Sequence, residues 1–146
     1  MANFALDLRA LIEKTKGRAD EVARKSVIAV GTSLVMKSPV GDPSLWKEKP
    51  PPGYVGGRFR ANWQHGLNVA PSGTVSTVDS DGRDTIDSIG ARVAQAEASG
   101  IHYITNSLPY AQALEYGHST QAPNGMVGIT VVEFENYVQQ AVAETK

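Results

Sequence analysis

There is no cysteine among the 146 residues. That excludes thiol nucleophiles, iron–sulfur clusters, Cys-ligated zinc and a disulfide scaffold, and it suits assembly in a reducing cytoplasm. Histidine is scarce as well, with three residues. None of His65, His102 and His118 stands four residues from another, and the lone Glu-to-His pair at i, i+3 is Glu115 with His118. A carboxylate-bridged metal site needs two such pairs and further carboxylates, so no metal and no other cofactor is expected. Neither sign of charge is in excess: 14 Lys and Arg against 15 Asp and Glu leave a net −1, which excludes a global attraction to nucleic acid. Long apolar runs are missing too. Asp7 interrupts the start before a signal segment could form. The uncharged stretch 26–36 includes Gly31, Thr32 and Ser33 and falls well short of the roughly 20 apolar residues of a membrane span.

What is present fits one ordinary domain over 1–146. It is 41 % apolar and 20 % charged, long enough to bury a core without staples. The near-zero charge is uneven along the chain. Residues 1–70 hold 11 bases and 6 acids, the remainder 3 bases and 9 acids. Two solvated faces of one domain would look like this, and so would copies stacked plus to minus.

Phe4, Leu8, Leu11 and Thr15, widened by Ile12, fall at helical spacing. A second periodic stretch runs through Val22, Val27, Val30 and Leu34 to Lys37, and Ser38-Pro39 ends it. This reads as one helix interrupted near Gly17 or two in series. Residues 39–57 are dense in Pro and Gly yet contain Leu45, Trp46, Tyr54 and Val55, the mark of a long ordered loop with a function. Alternation over 58–63 predicts a strand with Phe59, Ala61 and Trp63 inward and Arg58, Arg60 and Asn62 outward. Residues 74–78 are β-branched and predict a short strand. Ile86, Ile89, Val93 and Ala96 form a helical face stopped by Gly100. Residues 101–105 read as a strand, Pro109 opens a short helix to Gly117, and Val131, Phe134, Val138 and Ala141 form the inward face of a last helix. The class is therefore α+β: N-terminal helices, a small, mostly antiparallel sheet, and central and C-terminal helices packed on it.

Catalytic motifs fail in turn. Asp79, Asp81 and Gly82 resemble the start of a calcium loop, but Arg83, Asp84 and Gly90 occupy positions that need a ligand, a glycine and a glutamate. An acidic turn capping the next helix accounts for them. Gly53, Gly56 and Gly57 lead into a predicted strand, not a helix N-terminus, and lack Gly-Lys-Ser/Thr. Ser107 and Ser119 have no base and orienting group in view. No enzyme is expected. Arg58 and Arg60, with loop residues Lys47 and Lys49, leave a small nucleic-acid-binding module as the alternative.

Two stretches carry a resemblance. One is Ser38-Pro39-Val40 followed, after the loop, by Gly57-Arg58-Phe59-Arg60-Ala61-Asn62-Trp63. The other is Pro109-Tyr110-Ala111, then Glu115-Tyr116-Gly117, then Ala122-Pro123. Together and in this order they resemble the tail-completion, neck or head–tail joining proteins of long-tailed bacteriophages and prophages. The loop 41–56 is longer than the shortest family form, and Asn124-Gly125-Met126 departs from the family's usual continuation.

The resemblance implies a non-enzymatic virion structural protein. It would form a homo-oligomeric ring, commonly six-fold, in the neck or at the top of the tail tube, as a neck, tail-terminator or tail-completion protein made in the host cytoplasm. Its partners would be other neck, connector and tail-tube proteins, with genomic DNA passing through the lumen without sequence-specific contacts and no membrane involved. The candidate interface residues are Trp46, Tyr54, Arg58, Arg60, Tyr110, Glu115, Tyr116, Gly117 and Pro123. Pro109 and Tyr110 would fix the start of the short helix, Gly117 would stop it, and Glu115 would pair with Arg58 or Arg60 within or between subunits.

Overall fold

Helix α1, Asn3–Lys37, is one unbroken rod of 35 residues. It leads a computed structural model that describes residues 3–145 except 43, 45 and 46, with side chains from residue 8 onward. The interruption near Gly17 does not occur. Glycine costs an exposed helix about 1 kcal/mol relative to alanine, and no neighbouring atom lies within 4 Å of the place a Cβ would take. Neither sterics nor a cap stops the helix there. It stops where Pro39 follows Ser38, and the Ser38 hydroxyl turns back to donate to Leu34 O at 2.6 Å.

The Arg58–Trp63 stretch is not one strand. Residues Arg58–Ala61 form a single helical turn, α2, and strand β1 begins at Trp63 and runs to Leu67. Gly57 enters the turn at φ 116°, and a Cβ there would stand 2.6 Å from the backbone of Asp79 and Ser80, so the position needs glycine. Over so short a window, apolar residues at 59 and 63 fit a helical i, i+4 pair as well as strand alternation. The helical solution brings Phe59 and Trp63 edge to face at 5.8 Å. Both are buried as expected, but Asn62, expected outward, is 0 % exposed.

Strand β1 pairs antiparallel with β2, His102–Asn106, with Trp63 opposite Asn106 and Leu67 opposite His102. These are the two strands of the sheet among the described residues. The expected strand over 74–78 is absent, because side chains occupy its backbone groups instead. Asn62 Oδ1 accepts from Val75 N at 2.8 Å, Asn62 Nδ2 donates to Val75 O at 3.0 Å, and Gln64 Nε2 donates to Gly73 O at 3.1 Å. A buried amide does locally what a neighbouring strand would do.

Helix α3, Arg83–Gln95, packs on α1 and β1. It ends at Gln95, with Ala96 extended, before reaching Gly100, which serves the turn into β2. The acidic turn ahead of α3 acts as its cap: Asp79 Oδ1 accepts from Gly82 N, and Oδ2 accepts from Thr85 N and Thr85 Oγ1, all within 3.0 Å. Burial pushes the Asp79 carboxyl up, but the Thr85 and Gly82 donors outweigh it and hold it below the usual range. Helix α4 is short, Ala111–Glu115, and α5 spans Val127–Glu144. The class is α+β, with the helices packing on a two-stranded antiparallel sheet.

The inward face of α5 differs from the expected one. Against α1 it places Thr130, Glu133, Tyr137 and Ala141. Ser33 Oγ lies 2.8 Å from Thr130 Oγ1 and 2.9 Å from Tyr137 Oη, while Lys37 pairs with Glu133 at 3.1 Å. Tyr137 Oη also donates to Glu133. This polar seam turns Val131 and Phe134 outward, at 67 % and 47 % exposure. On α1, Leu8, Leu11 and Ile12 are likewise exposed.

The core lies among α1, α2, α3 and β1, built from Leu34, Val35, Phe59, Trp63, Ile89 and Val93, and it is closed by Leu108, Ala122 and Met126. Trp63 is its largest member, and its Nε1–H donates to Ser38 Oγ at 2.7 Å. Trp63→Ala is expected to destabilise the chain by about 3–5 kcal/mol, read as a fall in the denaturant midpoint at constant slope. An unchanged midpoint would show that the ring is not core.

Candidate assembly face

The two motif stretches meet in space. Ser38 accepts from Trp63 at its hydroxyl and from Arg60 Nε at its carbonyl, at 3.0 Å. Arg60 also donates to Met36 O at 3.2 Å and Ser80 O at 2.7 Å. Its guanidinium thus caps the C-terminal carbonyls of α1, where a cation also complements the helix dipole. Gln121, from the second stretch, clamps Val40 by accepting from its N–H at 2.9 Å and donating to its carbonyl at 2.7 Å.

Glu115 does not pair with Arg58 or Arg60 within the chain. Its carboxylate caps α5 instead: Oε2 accepts from Met126 N at 2.8 Å and Val127 N at 2.9 Å, and Oε1 from Gly128 N at 2.9 Å. These N–H groups have no partner inside the helix, and the positive end of the dipole favours an anion there. Burial pushes the carboxyl up, but the three N–H donors prevail and hold it below the usual carboxylate range. The local chain is shaped for this. Gly117 turns back at φ 91°, and a Cβ on it would meet Pro123 O at 2.6 Å. The glycine stop and the exposed Pro123 are two sides of one close approach.

Around these ties lies a surface depression of about 560 Å³, lined by Tyr54, Arg58, Phe59, Tyr110, Leu114 and His118 among others. Tyr110 stacks tilted on Phe59 at 5.9 Å and stays 41 % exposed. Burial raises its phenol above the ordinary value, Arg58 works against that, and Tyr54 adds to it. Tyr54 places its hydroxyl over Gly41. Arg58 is exposed and reaches Val75 O from Nε at 3.4 Å. Tyr116 is 80 % exposed. Lys47 and Lys49 are exposed on the loop. Trp46 lies outside the described residues. The face therefore gathers Tyr54, Arg58 and Tyr110. Arg60, Glu115, Gly117 and Pro123 act in the scaffold behind it, so of the two arginines assigned to a nucleic-acid surface, only Arg58 faces out.

Sequence reasoning missed one contact between titratable groups. His65 Nε2 and His102 Nδ1 lie 2.9 Å apart across the sheet, and His102 Nε2 donates to Ala98 O at 3.0 Å. In a neutral ring that donation makes Nδ1 the acceptor, with His65 Nε2 as its donor. The pairing depends on strand register, which spacing along the chain does not reveal. His65 is 2 % exposed. Burial, then His102 and Arg92, hold its pKa below the ordinary 6.5. Arg92 Nε donates to the His65 carbonyl at 3.0 Å. The pair joins the two strands of the sheet. No three His, Asp or Glu side chains gather as a metal site among the described residues, and no described helix is long and apolar enough to cross a membrane.

Compared with protein-family models, curated proteins and solved structures, the chain matches none.

Glu115→Ala is expected to cost about 1–2 kcal/mol by uncapping α5, seen as a lower melting temperature with frayed amides at 126–128. Acid should weaken the fold in two stages. A depressed histidine pKa means that the unfolded chain takes up the proton first, so stability is complete above 6.5 and declines as pH falls from there through the folded His65 value. The depressed Glu115 adds a second loss, beginning below 4.5 and completed as pH falls through its folded value. A denaturant midpoint that stays flat as pH falls below 6.5 would contradict the first stage.

Proposed function

We propose that this chain is a non-enzymatic structural protein of a phage virion. It forms a homo-oligomeric ring at the head–tail junction or the top of the tail tube and joins the tail to the capsid connector. The observation that carries this reading is the convergence of the two family-like motif stretches on one shallow face. Behind that face, Arg60, Glu115 and Gln121 hold backbone groups. On it, Tyr54, Arg58 and Tyr110 point outward, with Tyr116 exposed nearby. Tyrosine and arginine are the residue types that protein interfaces favour. The motif residues thus have work in folding and docking that calls for no reacting group.

The uneven charge supports the same reading. A ring needs two different patches of one surface to meet, and α5 carries three acids and no base while α1 carries half of the chain's bases. In this reading genomic DNA passes through the lumen without sequence-specific contacts.

The test is the mass of the purified chain in solution, followed by electron microscopy of particles. Closed rings and density at the head–tail junction are expected; a strict monomer absent from particles would overturn the proposal. Arg58→Glu, at an exposed position, should weaken ring formation while leaving stability within about 0.5 kcal/mol. Equal loss of folding and assembly would place Arg58 in the scaffold instead.

A further inference from the structure

We propose that the groove between α1 and α5 receives the N-terminal arm of α1 from a second copy of this chain. The contact goes beyond the virion reading and does not need it; it requires only that copies meet.

The arm is residues 8–19, every one of them exposed. At 1.5 Å per residue this is about 18 Å of helix, bordered by the rest of the fold at Arg18 and Ala19. It is amphipathic: Leu8, Leu11 and Ile12 stand at i, i+3, i+4 with 46 %, 59 % and 56 % exposure. Thr15, next on the stripe, turns its hydroxyl back onto Leu11 O at 2.9 Å. A helix with an apolar stripe at this spacing is the usual occupant of an apolar groove.

The groove is on the same molecule. Because α5 turns its polar seam toward α1, its valines and Phe134 face solvent. Two adjoining hollows of about 460 and 720 Å³ share Val27, His102 and Phe134 and run along the α1–α5 trough. Ile104 and Val30 lie at its base, and Val131 and Val142 on its α5 wall.

Charge selects a second copy as the occupant. The arm carries Arg9, Lys14 and Lys16 against one acid, Glu13, with Arg18 bordering the second hollow of its own chain. Helix α5 carries Glu133, Glu135 and Glu144 and no base. Glu133 is taken by Lys37, but Glu135 stands one helical turn from Val131 on the α5 wall and, among the described residues, has Gln139 as its side-chain partner, which leaves its charge to meet the arm. The arm cannot fill its own groove, because α1 is continuous through Gly17 and already forms one wall of it through Ala19, Val22 and Val27. The contact is therefore head to tail, each copy giving an arm and receiving one. A single helix in a groove is a small interface, under about 1,200 Å², and a closed ring gives each copy two.

The test uses two full-length variants. Leu11→Glu with Ile12→Glu spoils the arm, and Phe134→Glu spoils the groove, with Val131→Glu as a second groove variant should Phe134→Glu fold poorly. Melting curves establish that each is folded. Across a concentration series the unaltered chain is expected to self-associate, and each variant alone to keep the mass of one chain. Mixed one to one, the groove variant's intact arm fits the arm variant's intact groove, and the mass becomes that of two chains and no more. Unaltered oligomers that survive both variants would overturn this contact and leave the virion reading standing on another face. A chain that stays single at every concentration would overturn both. Folded variants that never pair on mixing would overturn the contact.

Discussion

The end of α1 is the tie on which the rest of the chain depends. Ser38 donates to Leu34 O, accepts from Trp63 Nε1 and offers its carbonyl to Arg60, whose remaining donors reach Met36 and Ser80. One serine and one guanidinium thus fix the last turn of the longest helix, the turn before β1 and the approach to α3. Because hydrogen bonds to charged groups contribute more than neutral ones, and a buried donor left unpaired costs more still, this junction sets the geometry within which Phe59, Trp63, Ile89 and Val93 can pack. The second tie, Glu115 on the first turn of α5, orients the C-terminal helix against α1 in the same way.

These ties have a consequence at the surface. With Thr130, Glu133 and Tyr137 held against Ser33 and Lys37, α5 has no freedom to roll its valines inward. The apolar surface that α5 leaves open at Val127, Val131, Phe134 and Val142 lines one trough, and contiguous exposed apolar surface usually marks an interaction site. The apolar stripe of the α1 arm is its proposed counterpart. The tyrosine- and arginine-bearing face around Arg58 lies apart from it, against the motif ties. Two separate surfaces open to neighbours, one at the trough and one around Arg58, suit the ring contacts that the virion reading proposes.

Much of this was legible in the sequence. The helical stretches, the strand expected at 101–105 and found at 102–106, the buried Phe59 and Trp63 and the cap at Asp79 follow from spacing and residue type, because each depends on neighbours within a turn or two. What escaped depends on contacts across the chain. The 58–63 stretch alternates yet folds as a turn, since Arg60 gains three carbonyls that way and Asn62 becomes the buried amide that holds residue 75. Val131 and Phe134 look like core because they are apolar at helical spacing, and only the position of Ser33 and Lys37 on α1 decides that the polar side faces in. The motif residues were read as interface groups, yet Glu115 and Arg60 hold backbone, which no spacing rule separates from docking.

The central claim is that side-chain acceptors at the motif positions hold the fold while the arm and the groove stay open for copies of the chain. Native-state hydrogen exchange, followed at low and high protein concentration, tests it most directly. The account predicts slow exchange at both concentrations for the amides of Met126, Val127 and Gly128, which Glu115 holds, and of Val75, Gly82 and Thr85, which Asn62 and Asp79 hold. Amides of residues 8–19 should exchange quickly when dilute and become protected when concentrated. Rapid exchange at the motif-held amides, with the arm indifferent to concentration, would contradict it.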